Sequence, residues 1–107
     1  MIYTNSDGGA RGNPGPGAIG VIVREEGKIL RKYSRFIGEN VTNNIAEYEA
    51  LIKALELARR YTTDEITCVV DSELVYNQLM GKYKVNHPKM MELFLVVIGK
   101  KINLYYA

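Results

Sequence analysis

Cysteine and long apolar stretches are both scarce in this chain, and each scarcity argues against a class of protein. Cys68 is the only cysteine among 107 residues, so no disulfide can form within the chain. It lies in an apolar run, which predicts a buried core residue and is compatible with a reducing cytoplasm. No apolar run approaches the ~18 residues that a membrane helix needs, and the N-terminus leads directly into a strand pattern. We therefore expect a cytoplasmic protein with no signal peptide and no membrane partner.

The chain also has little excess of charge of either sign. Its 14 basic and 12 acidic residues leave a formal net charge of +2, which argues against nucleic-acid binding by bulk charge. Any such binding must use local clusters, and for each cluster alone a solvated face is the more common explanation. The clusters are Arg31, Lys32 and Arg35; Lys82, Lys84 and Lys89; and Lys100 with Lys101. With 47% apolar residues, residues 1–107 are expected to form one domain with a small core.

The order of the apolar patterns predicts an α/β fold. The first three strands are joined by short connections and should be antiparallel, whereas the strand–helix–strand order that follows favours a parallel crossover. Apolar residues recur at helical spacing from Asn44 to Tyr61, which is typical of a helix with one buried stripe. The predicted strands are Ile2–Ser6, Ala18–Arg24, Ile29–Ile37, Ile66–Val70 and Ile102–Tyr106, and the other predicted helices are Glu73–Met80 and Pro88–Lys101.

One segment, Asp7–Gly17, holds five of the ten glycines and two of the three prolines. Asp7 is expected to end the first strand and to run directly into a glycine-rich loop. The loop is not a nucleotide-binding P-loop, because no Gly-Lys-Ser/Thr follows it and no helix begins after it. A purely structural connection is one explanation. A hairpin needs few residues, however, and a loop of this composition exposes backbone groups to sugar hydroxyls and phosphates.

Three acidic residues occupy positions that suit metal binding. Asp7 and Asp71 each close an apolar strand, and the ends of parallel strands lie side by side. Glu47 lies in the first turns of the long predicted helix. Carboxylates that converge from separate elements, without thiols or several histidines, favour hard cations such as Mg²⁺ or Mn²⁺. Two such ions about 3.5–4 Å apart can stabilise the attacking and leaving oxygens of a phosphodiester.

Each of these acids also has an ordinary structural explanation. The two aspartates can be turn or cap residues, and Glu47 can be the capping-box partner of Asn44. For any one residue alone, that explanation is the better one. Their occurrence together, beside the glycine segment, favours a metal site.

At this point the residues resemble a known family. Asp7–Gly15, Thr42–Glu47 and Val70–Ser72 resemble, in order and spacing, the motifs of type 1 ribonuclease H. The resemblance implies a mixed five-stranded sheet, with three antiparallel and then two parallel strands and with helices on both faces. It implies an enzyme that uses Mg²⁺, with Mn²⁺ as a substitute, to cleave the RNA strand of an RNA/DNA hybrid, which leaves 3′-hydroxyl and 5′-phosphate ends.

The same resemblance implies roles for individual residues. Asp7 matches a metal-bridging aspartate, and Glu47 and Asp71 match the two further carboxylates around the second metal. Asn43 and the glycine segment match positions that touch the RNA strand and its 2′-hydroxyls. Glu73 stands where many relatives have glutamine near the RNA, so its charge would weaken binding. The implied substrate contacts are Gly8, Gly9, Ala10, Arg11, Gly12, Asn13, Thr42, Asn43, Asn44 and Glu73, with Asn13 and Thr42 in a pocket for a DNA phosphate.

The sequence departs from the family pattern at its end. Family members carry a fourth acid in a helix after the last strand and a mobile histidine before it, and this chain stops at that strand. His87 precedes Pro88 and is expected to be a surface loop residue without the histidine's role. The expected fold is therefore truncated at its C-terminus, with a weakened site. Apolar surface near Leu104, Tyr105 and Tyr106 would be uncovered, which favours self-association or a longer polypeptide.

Three functional hypotheses follow from these features. The first is a ribonuclease H enzyme, attenuated by the loss of the fourth acid. The second is a module of the same fold that binds RNA/DNA hybrids without cutting them. The third is a cleavage domain of a larger, reverse transcriptase-like protein. A small-molecule phosphate enzyme is disfavoured because the sequence has no nucleotide-binding fingerprint.

Overall fold

A computed structural model describes all residues from 1 to 107. Five strands and three helices follow one another along the chain: β1 (Ile2–Ala10), β2 (Gly15–Glu25), β3 (Lys28–Val41), α1 (Asn43–Ala58), β4 (Ile66–Val70), α2 (Glu73–Leu79), α3 (Pro88–Val97) and β5 (Ile102–Tyr106). None of the three helices is long and apolar enough to cross a membrane.

The strands form one mixed sheet in the order β3-β2-β1-β4-β5. β1 pairs antiparallel with β2, and β2 antiparallel with β3. β4 pairs in parallel with β1 and with β5. The predicted sheet of three antiparallel and then two parallel strands is confirmed. Because β1 is central, its residues are held by hydrogen-bonded neighbours on both sides.

The glycine segment differs from its prediction. β1 continues through Ala10, where Gly8 pairs with Ile19 and Gly9 with Ala18. Asp7 therefore lies inside β1 and does not end it. The loop outside the strands is reduced to residues 11–14. Glycine has a low strand propensity, but the ladder needs only backbone groups, so two small residues can extend a strand that is already paired.

Several other boundaries also differ. β3 continues to Val41, four residues past its predicted end at Ile37. α1 ends at Ala58 and α3 at Val97, earlier than Tyr61 and Lys101. At α3 the reason is local, because Ile98 adopts an extended conformation and Gly99 follows with a φ of +86°.

All three helices lie on one face of the sheet, not on both faces as expected. Side chains alternate along β1, so Ile2, Thr4 and Ser6 are buried while Tyr3 and Asn5 are only partly buried. α1 packs across β1 and β2 and also touches α2 and α3. The buried core has members from three strands and all three helices on this side, including Val21, Tyr48, Cys68, Val75 and Leu93. The predicted burial of Cys68 is confirmed, and the opposite face of the sheet carries no helix.

Each helix begins with a side-chain cap. Thr42 Oγ1 accepts a hydrogen bond from Ile45 N at 3.2 Å, and Ser72 Oγ accepts one from Val75 N at 3.2 Å. His87 Nδ1 accepts a bond from Met90 N at 3.4 Å. His87 is therefore the N-cap residue of α3 and has a structural part that the sequence did not indicate. Thr42 is the N-cap residue of α1.

A buried polar contact joins α1 to α2. The Tyr48 hydroxyl donates to Gln78 Oε1 at 2.6 Å, and Gln78 Nε2 donates to the carbonyl oxygen of Lys84 at 3.0 Å. Burial raises the pKa of Tyr48 to about 12, because the phenolate would lose its solvation. These two hydrogen bonds, which we call the relay, connect α1 to the segment between α2 and α3.

Candidate active site

The two aspartates lie side by side because of the sheet register. Ser6 pairs with Val70 at the end of the parallel β1–β4 ladder, so the next residues, Asp7 and Asp71, emerge at the same place. Both side chains are exposed. The predicted juxtaposition of the two carboxylates is confirmed, although β1 itself continues past Asp7.

Glu47 reaches this place from α1, and its approach depends on Gly8. Glu47 Oε1 accepts a hydrogen bond from Gly8 N at 3.1 Å. A Cβ atom on Gly8 would lie 2.2 Å from the carbonyl oxygen of Ala46 and 2.8 Å from Glu47 N. No side chain fits in that space, so only glycine lets the first turns of α1 rest directly on β1. Glu47 is consequently 8% exposed.

The electrostatics around Glu47 favour a cation. Burial raises the pKa of Glu47 to about 8, the Gly8 N–H lowers it, and Asp7 and Asp71 raise it further. None of the three acids takes part in an ion pair with Lys or Arg. Three carboxylates thus converge with one of them shielded from water, and no basic side chain neutralises them.

The donor set fits a hard divalent cation by its chemistry. All three groups offer carboxylate oxygens, which Mg²⁺ and Mn²⁺ prefer. Asp, Glu, His and Cys side chains nowhere form a group of three placed to hold an ion by themselves. Mg²⁺ commonly takes one or two protein carboxylates and completes its shell with water and substrate phosphate. Asp7, Glu47 and Asp71 are therefore the residues that would hold such an ion.

The short loop between β1 and β2 is tied to the start of α1. Asn13 Oδ1 accepts a hydrogen bond from Asn43 N at 3.0 Å, and Asn43 Oδ1 accepts one from Ala10 N at 2.8 Å. Arg11 N also donates to the carbonyl oxygen of Pro16 at 2.9 Å. A Cβ on Gly15 would lie 1.6 Å from the carbonyl oxygen of Arg11. These contacts fix the loop beside Glu47.

These bonds also decide what the candidate substrate contacts can offer. The side-chain oxygen of Asn43 is occupied by Ala10, so its exposed amide group is left as a donor. The Thr42 hydroxyl oxygen caps α1. Gly9, Arg11 and Gly12 lie along the β1 end and the loop, with Arg11 and Gly12 exposed. The structure therefore brings most of the predicted contacts to one surface.

Two predicted contacts have less support. The Asn44 side chain is half-buried and makes no hydrogen bond within the chain. Glu73 is exposed in the first turn of α2, after the cap residue Ser72. No hydrogen bond joins either side chain to the glycine segment, so their part in substrate binding stays a prediction.

A groove on the helix-free face of the sheet leads to the two aspartates. Its volume is about 610 Å³, and Asp7 and Asp71 belong to its lining. The lining also contains Lys32, from one of the basic clusters, and two polar residues that sequence reasoning missed, Asn5 and Ser34. Asn5 Oδ1 accepts two hydrogen bonds from Arg24, at 3.0 and 2.9 Å. Asn5 lies two residues before Asp7, so strand alternation was the signal that could have found it.

Comparison with known proteins places this arrangement in a family. Residues 5–98 match the protein family described as reverse transcriptase-like. The matched residues include the three carboxylates and the motifs Asp7–Gly15, Thr42–Glu47 and Val70–Ser72. The chain also matches solved RNase H1 structures at 34% and 40% identity, and it covers 84% and 83% of those chains. The chain belongs to the type 1 ribonuclease H family.

Named relatives include ribonuclease HI of Halobacterium salinarum, which is 44% identical over 90 residues. That match covers 83% of this chain and 45% of the relative. The bifunctional protein Rv2228c of Mycobacterium tuberculosis is 38% identical over 96 residues, which cover 88% of this chain and 26% of the relative. The chain thus spans a quarter to a half of these ribonuclease H relatives.

Solved structures of the family agree with the fold. The N-terminal RNase H domain of Rv2228c superposes with a TM-score of 0.90 at 34% identity, over 99% of this chain and 81% of that one. LC11-RNase H1, solved in complex with an RNA/DNA hybrid, gives a TM-score of 0.85 at 40% identity. That match covers all of this chain and 83% of LC11-RNase H1.

Proposed function

We propose that this chain is a ribonuclease H that hydrolyses the RNA strand of RNA/DNA hybrids with the help of Mg²⁺. The observation that carries the proposal is the convergence of Asp7, Glu47 and Asp71 beside a glycine-rich strand end in a member of this family. The hybrid bound to LC11-RNase H1 supports the choice of substrate. Mn²⁺ is proposed as a substitute ion, because it takes the same oxygen ligands.

The proposed reaction is the hydrolysis of a phosphodiester bond in the RNA strand. The oxygen of a water molecule forms a bond to the scissile phosphorus, and the bond from phosphorus to the 3′ oxygen breaks. The products are a 5′-phosphate and a 3′-hydroxyl. The attacking water loses a proton, and the leaving 3′ oxygen takes one up. A divalent cation held by Asp7, Glu47 and Asp71 would supply positive charge that eases the loss of the water's proton and offsets the charge of the phosphate.

The chain's own residues position the substrate. The absence of a side chain at Gly9, where a Cβ would meet only Asn43 Oδ1 at 3.8 Å, lets a sugar–phosphate backbone approach β1 closely. The free amide group of Asn43 can donate to a 2′-hydroxyl oxygen, which is a group that DNA lacks. The Gly8 N–H orients the Glu47 carboxylate. Arg11 is exposed at the loop and adds one positive charge near the phosphates.

A second candidate function is hybrid binding without cleavage. It is favoured by one observation, that the three carboxylates do not by themselves form a group placed to hold an ion. In this case the surface around Asn13, Thr42 and Asn43 binds the hybrid, and the carboxylates contribute little to a reaction.

The deciding experiment is incubation of the chain with an RNA/DNA hybrid labelled on the RNA strand, in Mg²⁺ and separately in Mn²⁺. Asp7→Asn removes a candidate metal ligand. Asp64→Asn is the matched control, since Asp64 lies in an exposed turn before β4. Cleavage that is lost in Asp7→Asn and retained in Asp64→Asn supports the proposal. Binding without cleavage favours the second candidate, and the absence of both binding and cleavage contradicts both.

A further inference from the structure

The two edges of the sheet differ strongly in charge. The edge strand β3 contains five charged residues, namely Lys28, Arg31, Lys32, Arg35 and Glu39. The opposite edge strand, β5, has the sequence Ile-Asn-Leu-Tyr-Tyr and no charge. Charged side chains on an edge strand prevent pairing with another chain. β3 is thus protected in this way, whereas β5 is not.

The free backbone groups of β5 can be assigned from its bonds to β4. Ile66 N donates to the carbonyl oxygen of Lys101, and Ala107 N donates to that of Val70. Backbone groups alternate in direction along a strand. Residues 101, 103, 105 and 107 therefore face β4, and the N–H and C=O groups of Ile102, Leu104 and Tyr106 point away from the sheet.

Exposed apolar side chains lie beside this edge. Met80, Ile98, Tyr105 and Tyr106 are four of the twelve large apolar side chains that are exposed. A groove of about 390 Å³ runs between β5 and the ends of α2 and α3, with Met80, Ile98 and Leu104 in its lining. Lys100 is the only charged residue of this lining. An edge of this composition suits an apolar, uncharged partner strand.

We propose that the free edge of β5 and the adjoining groove form the interface of a twofold-symmetric homodimer, in which the two β5 strands pair antiparallel. The free groups are symmetric about Leu104. With Leu104 opposite Leu104 of the second copy, Ile102 stands opposite Tyr106, and the three outward-facing pairs make about six main-chain hydrogen bonds. β5 is thus complementary to itself, and the joined sheets leave only the charged β3 edges exposed.

The available area is consistent with a dimer. Met80, Ile98, Tyr105 and Tyr106 are each about half exposed, at 51%, 46%, 56% and 48%. At roughly 200 Å² for a fully exposed large side chain, these four offer about 400 Å² per copy. A standard interface buries about 800 Å² per partner, so the backbone edge and the remaining groove lining must supply a similar amount.

The first test is sedimentation velocity of the 107-residue chain across a concentration series. We expect a concentration-dependent dimer. Tyr106→Pro removes one outward-facing N–H and leaves the Ala107–Val70 bond to β4 in place, so it should give a monomer. Tyr106→Ala keeps the N–H and should retain dimerisation, weakened by loss of the ring. Phe36→Ala removes an exposed aromatic from β3 and should dimerise as the wild type does. A wild-type monomer at every concentration, or a dimer unaffected by Tyr106→Pro, would overturn the proposal.

The second test fixes the register with single cysteines. In the proposed dimer the two Leu104 Cα atoms are about 5.5 Å apart, which suits a disulfide. Leu104→Cys should therefore form a covalent dimer under mild oxidation. Native Cys68 is buried and should not react. Tyr105 faces Asn103 of the second copy, so Tyr105→Cys should cross-link poorly. Melting curves would check that both variants are folded. Equal cross-linking at the two positions contradicts this register.

Discussion

At the scale of single residues, Glu47 has the most unusual environment. It is an acid on the first turns of a helix, almost excluded from water, and close to two other acids. Its carboxylate accepts a hydrogen bond from Gly8 N. An isolated chain must therefore either protonate this carboxyl or tolerate the repulsion, whereas a bound cation would remove the conflict.

This environment predicts how stability depends on pH without divalent ions. The pKa of Glu47 in the folded chain, about 8, lies above its ordinary value of 4.5, so the folded state binds the proton more tightly than the unfolded state. The resulting stabilisation is complete below about pH 4.5 and is lost as the pH rises through about 8. We expect the free energy of unfolding, measured by urea titration in EDTA, to decrease over that range.

Two variants separate Glu47 from other groups. Glu47→Gln should remove most of this decrease, since glutamine does not titrate. Glu49→Gln changes an acid on the same helix and should retain the wild-type slope. If Glu47→Gln and the wild type have the same pH dependence, the proposed protonation of Glu47 is wrong.

At the scale of secondary-structure elements, the crossing of α1 over β1 determines the site. Gly8 is the contact point, and the carbonyl oxygen of Ala46 occupies the space of its missing side chain. The helix is held there by the Thr42 cap and by the hydrogen bonds of Asn13 and Asn43. The position of Glu47 is therefore a consequence of close packing between a strand and a helix.

The close packing of α1 on β1 predicts that a methyl group added at Gly8 destabilises the chain. Gly8→Ala should push α1 away from β1 and destabilise the chain by about 1–3 kcal/mol, as overpacking does. Gly20→Ala is the matched control, because a Cβ at Gly20 meets no atom within 4 Å, and its effect should stay within about 0.5 kcal/mol. Chemical denaturation measures both changes. Equal stability of the two variants would show that α1 can move without cost.

The sequence predicted the features that depend on neighbouring residues. It did not predict the features that depend on packing between distant segments. The apolar run that ends at Val70 and the strand pattern before Asp7 were sufficient to place the two aspartates together. The continuation of β1 through Gly8 and Gly9 was missed, because glycine usually argues against a strand and only the paired neighbour β2 holds it there. The Gly8–Glu47 bond spans 39 residues, and no local pattern indicates such a contact.

At the scale of the whole molecule, buried polar contacts join the helices to one another. The relay from Tyr48 through Gln78 to Lys84 connects α1, α2 and the following turn. Gln78 is 4% exposed, so water cannot replace a lost partner. The helices all lie on one face of the sheet, and this relay supplements their apolar packing.

The relay predicts that removal of the Tyr48 hydroxyl destabilises the chain. Tyr48→Phe leaves the buried Gln78 Oε1 without its donor and should cost about 1–3 kcal/mol. Tyr76→Phe removes a hydroxyl that makes no hydrogen bond within the chain, and it should change stability by less than about 0.5 kcal/mol. Thermal unfolding followed by circular dichroism compares the two. An equal, small effect would mean that the buried oxygen finds another partner.

The parallel pairing of β1 with β4 has a consequence for the order in which the site can appear. Asp7 is made early in synthesis, but its neighbour Asp71 is added 64 residues later, and the ladder that aligns them requires all of β4. A chain emerging from the ribosome, or one refolding from denaturant, has no assembled carboxylate cluster until this long-range pairing forms. The proposed metal site therefore depends on this long-range pairing, and metal binding during refolding would report formation of the β1–β4 ladder.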